Sequence, residues 1–228
     1  MAQHKLKHTL SAIALALGAF ACANLFAASD TEISQELSIS KSIIAQNPGL
    51  NHEMVMLGVA GMEWAERKTN VGNKQYLTLI DFTKPSNEKR LSVIDMHTYK
   101  TVMEINVAHG KNSGVLYAKQ FSNRGGSDET SLGVYVTQST FIGEHGLSLH
   151  IKGMEAGINS NASRRAVEIH CAKYVSDSFI AKHGRAGRSW GCFAVSPAVC
   201  HKLAKMLAGG SVIFAYALPE AKDPNLKN

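Results

Sequence analysis

From residue 76 onward the sequence breaks into short runs rich in β-branched and aromatic residues, each closed by a turn signal, and that rhythm confines the chain to a mostly β architecture. Residues 76–82, 90–96 and 101–108 form the first three runs, separated by Lys84-Pro85-Ser86-Asn87 and His97-Thr98. Residues 132–137, 147–152, 166–170 and 211–217 supply four more. In 90–96, Leu91 and Val93 interleave with Ser92 and Ile94, so strand character there rests on length and β-branching rather than clean alternation. Helical segments within this part are few. Residues 177–183 form one; residues 197–207 form another, with Pro197 in its first turn and Ser196 at the N-cap position. Short, evenly spaced strands predict a β-sandwich or barrel-like domain with a few helices.

Upstream the pattern changes. Residues 30–46 place Ile33, Leu37 and Ile44 on one helical face, Asn47-Pro48-Gly49 breaks that helix, and residues 51–66 read as a second one carrying Met54, Leu57, Gly61 and Ala65. The expected layout is a helical N-terminal extension over residues 29–75 and a β-rich domain over 76–228.

Residues 1–28 have the form of a secretory signal peptide: Lys5 and Lys7 are followed by an apolar stretch over residues 10–21 and then by small residues. Ala21-Cys22-Ala23 suits cleavage before Asn24; a cut near Ala27 or Ala28 also fits. The apolar stretch falls short of the ~20 residues a membrane span needs. A lipoprotein at Cys22 is disfavoured because Ala19-Phe20-Ala21 lacks the usual Leu three residues before the cysteine. No later run approaches membrane-spanning length, so the expectation is export to the periplasm without stable membrane insertion. Removal of residues 1–28 takes two lysines and no acids, lowering the net charge from +6 to +4. That mild positive charge suits an anionic polymer such as peptidoglycan as well as plain solubility. No cluster of Lys or Arg interleaved with aromatics occurs, so nucleic acid is not an expected partner. Nothing in the sequence fixes an oligomeric state.

Three cysteines remain after such processing: Cys171, Cys192 and Cys200. An odd number in an oxidising compartment leaves at least one thiol without an intrachain partner. A pair between Cys171 and Cys200 is one arrangement, leaving Cys192. The loop Ser189-Trp190-Gly191-Cys192 suits a reactive thiol, since a nucleophilic cysteine must be reachable and must lose its proton to a base. Gly191 permits a tight turn, and backbone N–H groups of Gly191 and Cys192 could then face an oxyanion. His170 closes the strand run 166–170 and could serve as the base. The plainer alternative is a small buried thiol and a satisfied strand-end histidine. Residues 109–128, rich in Gly, Ser and Asn, have the length of a binding loop or lid. A zinc site would draw on His170, Cys171, Cys192, Cys200 and His201, but adjacent His-Cys and Cys-His pairs chelate poorly and no C-x-x-C or H-x-x-x-H spacing occurs, so no metal is expected.

These motifs as a set resemble the L,D-transpeptidase catalytic (YkuD-type) domain family, in a divergent subgroup. The family signature is a His followed some fifteen to twenty residues later by Ser/Thr-x-Gly-Cys; here His170 precedes Ser189-Trp190-Gly191-Cys192 by eighteen residues. Residues 91–95, 107–111 and Ser131-Leu132-Gly133 resemble the upstream strands, and the likeness covers roughly residues 76–217. It implies an exported cysteine acyl-transferase acting on peptidoglycan stem peptides. Cys192 would attack the carbonyl of an L-to-D peptide bond, His170 would take and return the proton, and Ser189 would orient the site. Gly191 and Cys192 would supply backbone donors. Apart from the resemblance, Trp190 could stack on substrate or only fill the wall of the cleft, and Arg188 could bind substrate or be an exposed loop arginine. The thioester passes to an amine in a transpeptidase or to water in a carboxypeptidase, without metal or organic cofactor. A non-catalytic wall-binding module is the remaining alternative. Two positions depart from the family: Trp190 stands where Asn or His is common, and Ala194 where Arg or Asn is usual. Arg185 or Arg188 could replace the lost charge. His109 and His150 could line the cleft or be structural. Glu155, Asn159 and Arg165 resemble subgroup text without an assignable role.

Overall fold

The computed structural model describes residues 30–218; the proposed signal peptide lies outside them. Two helices lead, α1 (Asp30–Gln46) and α2 (His52–Lys68). Strands β1 (Tyr76–Asp81), β2 (Leu91–Asp95) and β3 (Lys100–Ile105) follow. After the long loop come β4 (Gly133–Gly143), β5 (Gly146–Gly153), β6 (Glu168–Cys171), α3 (Asp177–His183), β7 (Phe193–Val195), α4 (Pro197–Leu207) and β8 (Val212–Tyr216). The strands form a mixed eight-stranded sheet in the order β3-β2-β1-β8-β4-β5-β6-β7. Its ends meet. Val107, just beyond β3, bridges Val195 of β7, and Ala108 N–H donates to Ala194 O at 2.9 Å. The sheet therefore curls towards a barrel, in keeping with the mostly β reading.

Helices cover both faces, and the two-residue period of the strands sorts side chains between them. Leu77 and Leu79 of β1, Val134 and Val136 of β4, and Val212, Phe214 and Tyr216 of β8 pack beneath α2 with Met54, Val55 and Val59. Ile80, Tyr135, Ile213 and Ala215 point the other way, towards Leu203, Ala204 and Leu207 of α4. Burial on both faces explains the poor alternation of residues 90–96: Leu91 and Val93 enter the second core and Ile94 the first. Helix α2 approaches the sheet closely at Gly58, where a Cβ would stand 2.4 Å from Leu79 Cδ2.

Three details differ from expectation. Strand β4 runs to Gly143 rather than ending near Thr137, because residues 138–143 pair with β5 across a register shift. The three residues of β7 make a strand that their brevity hides in sequence. Ser196 occupies the N-cap of α4 but makes no side-chain capping bond; Pro197 in the first turn already removes one N–H that would need a partner.

Cys171 on β6 and Cys200 on α4 form a disulfide that closes a 29-residue separation. Cross-linking that loop in the unfolded chain corresponds to about 3–4 kcal/mol. Replacing both cysteines by alanine is expected to lower unfolding stability by this order in urea titrations. A midpoint equal to wild type would exclude the contribution.

Candidate active site

The site forms where β6 and β7 run parallel, Ile169 opposite Phe193 and His170 opposite Ala194. Side chains alternate across this pair. Ile169, Phe193 and Val195 enter the α4-side core, whereas Ala194 joins Ala108, Ala172, Val175 and Ala186 in a small cluster on the other side. His170 shares that second face, and so does Cys192, two residues before Ala194. The structure thus sets the two expected reactive residues on one face, one strand repeat apart.

Cys192 is half-buried, and among the described residues it is the free cysteine. Its thiol donates to Ala166 O at 3.4 Å, so the sulfur leans towards the start of β6. Among the described residues no hydrogen bond joins it to His170. Burial pushes the thiol up to about 11; the Glu168 carboxylate adds to this, while the Glu168 backbone and the Arg165 guanidinium pull the other way. His170 is buried, and its Nδ1 lies 3.1 Å from Cys171 O. A carbonyl only accepts, so Nδ1 carries the proton and Nε2 is left with the basic lone pair. Desolvation holds the imidazole below its ordinary range, which keeps it neutral and available as a base.

The turn before Cys192 is clamped by Ser189. Its hydroxyl donates to Cys192 O at 2.8 Å and accepts from Gly191 N at 3.1 Å. Ser189 N–H donates to His109 O, and Lys111 N–H to Ser189 O, tying the turn to the long loop. Gly191 adopts φ +122°, and a Cβ there would lie 2.9 Å from Glu129 O. The Gly191 N–H, one of the two groups expected to face an oxyanion, donates to Ser189 Oγ.

His109 is structural. Arg90 Nη2 donates to its Nδ1 at 2.8 Å, its Nε2 donates to Gly114 O at 3.2 Å, and burial beside that guanidinium pushes it down to about 3. Arg90 itself also binds Val107 O and lies over the Phe82 ring. This buried pair braces the strand end from which Ser189 hangs. Arg188 donates to Lys111 O and Gly114 O and so holds the loop, while Arg185 bonds Ala186 O. Trp190 is exposed, with Lys111 Nζ 5.6 Å from its ring centroid. His150 stacks face to face on Phe141 at 3.8 Å.

Arg165 is the residue whose role sequence leaves blank. Its guanidinium donates to Ser122 O, Ser127 Oγ, Ser131 Oγ and Glu129 O, pinning the loop of residues 122–131 against the Gly191 turn. A Cβ on Gly191 would stand 3.1 Å from Arg165 Nη2, and the Cys192 charge acts on this arginine. The cation nearest the sulfur in effect is thus Arg165, not Arg185 or Arg188. Its sequence signals are its place shortly before the His170 strand and, with Glu155 and Asn159, its likeness to subgroup text. Glu155 and Asn159 fix β4: the Glu155 carboxyl accepts from Val134 N at 2.5 Å, and Asn159 Nδ2 donates to Leu132 O and Val134 O. Cys171 and Cys200 are consumed by the disulfide, which removes two of the five residues considered for zinc. Among the described residues, no three His, Cys, Asp or Glu side chains converge as a metal site.

The sequence pattern of the L,D-transpeptidase catalytic domain (YkuD_2) matches residues 46–216, three quarters of the chain. The chain belongs to the L,D-transpeptidase catalytic domain family. The matched stretch starts at the last residue of α1, ends at the last residue of β8, and contains the whole sheet and the Cys192 turn. No curated protein matches the chain. Among solved structures, an L,D-transpeptidase from Mycobacterium smegmatis is 14% identical over 63% of this chain and 59% of its own, with a TM-score of 0.39. The chain thus spans less than two thirds of that protein. L,D-transpeptidases from Xylanimonas cellulosilytica and Stackebrandtia nassauensis are each 14% identical with a TM-score of 0.38, over 77% and 79% of this chain and 78% and 77% of theirs. Membership rests on the sequence pattern rather than on these superpositions.

The Ser189 clamp gives a prediction for this family member. Ser189→Ala loses both turn bonds at once and is expected to slow β-lactam acylation of Cys192 about tenfold, through misplacement of the sulfur. Ser189→Thr, which keeps the hydroxyl, is expected to retain most of the rate. Equal rates for Ala and wild type, measured by intact mass against time, would remove Ser189 from the machinery.

Proposed function

We propose that the protein is an exported L,D-transpeptidase that acts on peptidoglycan stem peptides through a Cys192 thioester. The observation that carries this reading is Cys192 itself: a free thiol on a clamped Ser-x-Gly-Cys turn, on the same sheet face as a neutral, oriented His170, within a domain of this family. In the first half-reaction the thiol leaves the Ala166 carbonyl and gives its proton to His170 Nε2. The sulfur adds to the carbonyl carbon of an L-to-D peptide bond. Collapse breaks the C–N bond, and the leaving amine takes the proton from His170. In the second half-reaction an acceptor amine attacks the thioester, His170 removes its proton, and the thiol reforms. Water in place of the amine gives a carboxypeptidase.

Export is part of the proposal. The form of residues 1–28 and the Cys171–Cys200 disulfide both favour an oxidising compartment such as the periplasm. Among the described residues no helix is long and apolar enough to cross a membrane. Exposed Trp190, on the same turn as Cys192, with Lys111 against it and Arg188 bracing the loop beneath, offers a flat apolar surface for the peptide to lie on.

The test is a tetrapeptide muropeptide incubated with the protein and a free D-amino acid, with products read by mass spectrometry. Exchange of the terminal D-residue is the expected result. A tripeptide product alone would make the protein a carboxypeptidase. No turnover, with wild type and Cys192→Ala retained equally on sacculi, would make it a binding module.

A further inference from the structure

The β4–β5 hairpin ends in a two-residue turn, Glu144-His145, between the paired Gly143 and Gly146. Turn residues at such a tip face solvent, and His145 is exposed. Yet its ring lies on that of His170, with centroids 4.4 Å apart and planes 25° apart. The contact joins an exposed hairpin tip to the buried His170 of β6. It also covers the His170 ring, whose Nε2 carries the basic lone pair.

On this geometry we infer that His145 is a positioning residue for the transfer of the Cys192 proton, its ring holding the His170 imidazole in place and shielding it from water. The inference rests on the reading of His170 as the base. Cys171 O fixes which nitrogen carries the proton but leaves the ring free to rock about that single bond. A second ring packed flat against it removes that freedom, the part that a carboxylate or amide plays behind many catalytic histidines. Other groups act on this patch. His150 on β5 lies opposite Glu168 on β6, and both His150 and His145 draw the Glu168 carboxyl down against its burial. Arg165 and Cys192 lie at the turn beyond.

The sign of the pH effect follows. Only neutral His170 accepts the thiol proton, so the acid limb of the rate profile reports its pKa. Burial lowers that pKa, and the positive charge of a protonated His145 lowers it further. Removing the ring lifts both effects, and the limb moves to higher pH.

The experiment follows acylation of the full exported protein by a carbapenem from about pH 5 to 9, by intact mass. Wild type, His145→Ala, His145→Phe and His170→Ala are compared, with melting temperatures taken alongside. His170→Ala is expected to be at least a hundredfold slower. His145→Ala is expected to lose about tenfold at the plateau and to shift the acid limb upward. His145→Phe keeps a flat ring and loses only the charge, so its plateau stays within about twofold of wild type and its limb shifts less. If His170→Ala acylates like wild type, the base assignment falls and the role of His145 falls with it. If His170→Ala is slow but His145→Ala superimposes on wild type, or reacts faster, the base stands and His145 has no positioning role.

Discussion

Under the proposed mechanism the protein is expected to form a covalent adduct with a carbapenem, and Cys192→Ala is expected to form none, leaving the unmodified mass at all times. The expectation is strong because Cys171 and Cys200 are bonded to each other, so no second thiol among the described residues can substitute. The state of the thiol sharpens it. With burial pushing Cys192 up to about 11, only about one molecule in 10⁴ carries a thiolate at pH 7. A resting ion pair with His170 is therefore not the ground state. In the proposed mechanism the proton moves as the sulfur attacks, which makes the reaction depend on a neutral base nearby. Two measurements follow from one cause. Alkylation by iodoacetamide, which needs the free thiolate, should be slow at neutral pH and climb steadily into the alkaline range. Carbapenem acylation, which can use His170, should already be fast near neutrality. Persistence of the adduct in Cys192→Ala, or parallel pH profiles for the two reagents, would contradict this account.

The second large effect is expected at Arg165. Replacement by Gln removes a cation and most of a fork that binds two carbonyls and two hydroxyls of the 122–131 loop. Hydrogen bonds from a charged donor are worth more than neutral ones, and the carbonyls left behind are only partly accessible to water. A loss of about 2–4 kcal/mol in unfolding stability is the expected order. Function should fall as well, by about tenfold or more, because the same guanidinium backs the Gly191 turn and its charge lowers the Cys192 thiol. Without it the thiol rises further, so the alkylation profile of Arg165→Gln should lie at higher pH than that of wild type. Arg165→Lys should restore the charge but not the planar fork, recovering the pH profile more fully than the stability. A variant with wild-type stability and an unshifted profile would reduce Arg165 to an ordinary loop residue.

By itself the sequence determined most of the elements and singled out Cys192 and His170 as the candidate pair. Hydrophobic rhythm located the helices at 177–183 and 197–207 and seven of the eight strands, because local spacing and turn chemistry are written in neighbouring residues. The Ser189-Trp190-Gly191-Cys192 loop and His170 were legible because their spacing along the chain is itself the family's signature, a likeness the sequence match to the family bears out. What only the tertiary structure decided involves contacts between residues far apart in sequence. The three-residue β7 exists because β6 and Val107 lie on either side of it. The Cys171–Cys200 pair depends on α4 packing back over β6, and the engagement of Gly191 N–H by Ser189 Oγ depends on the turn that Glu129 and Arg165 close over. Arg165 and His145 reach the Cys192–His170 face from a short 3₁₀ turn and a hairpin tip, positions that carry no periodicity. A linear pattern records which side chains share a strand face; it does not record which loop folds down upon that face, and here the loops set the charge around the Cys192 thiol and the packing of the His170 ring.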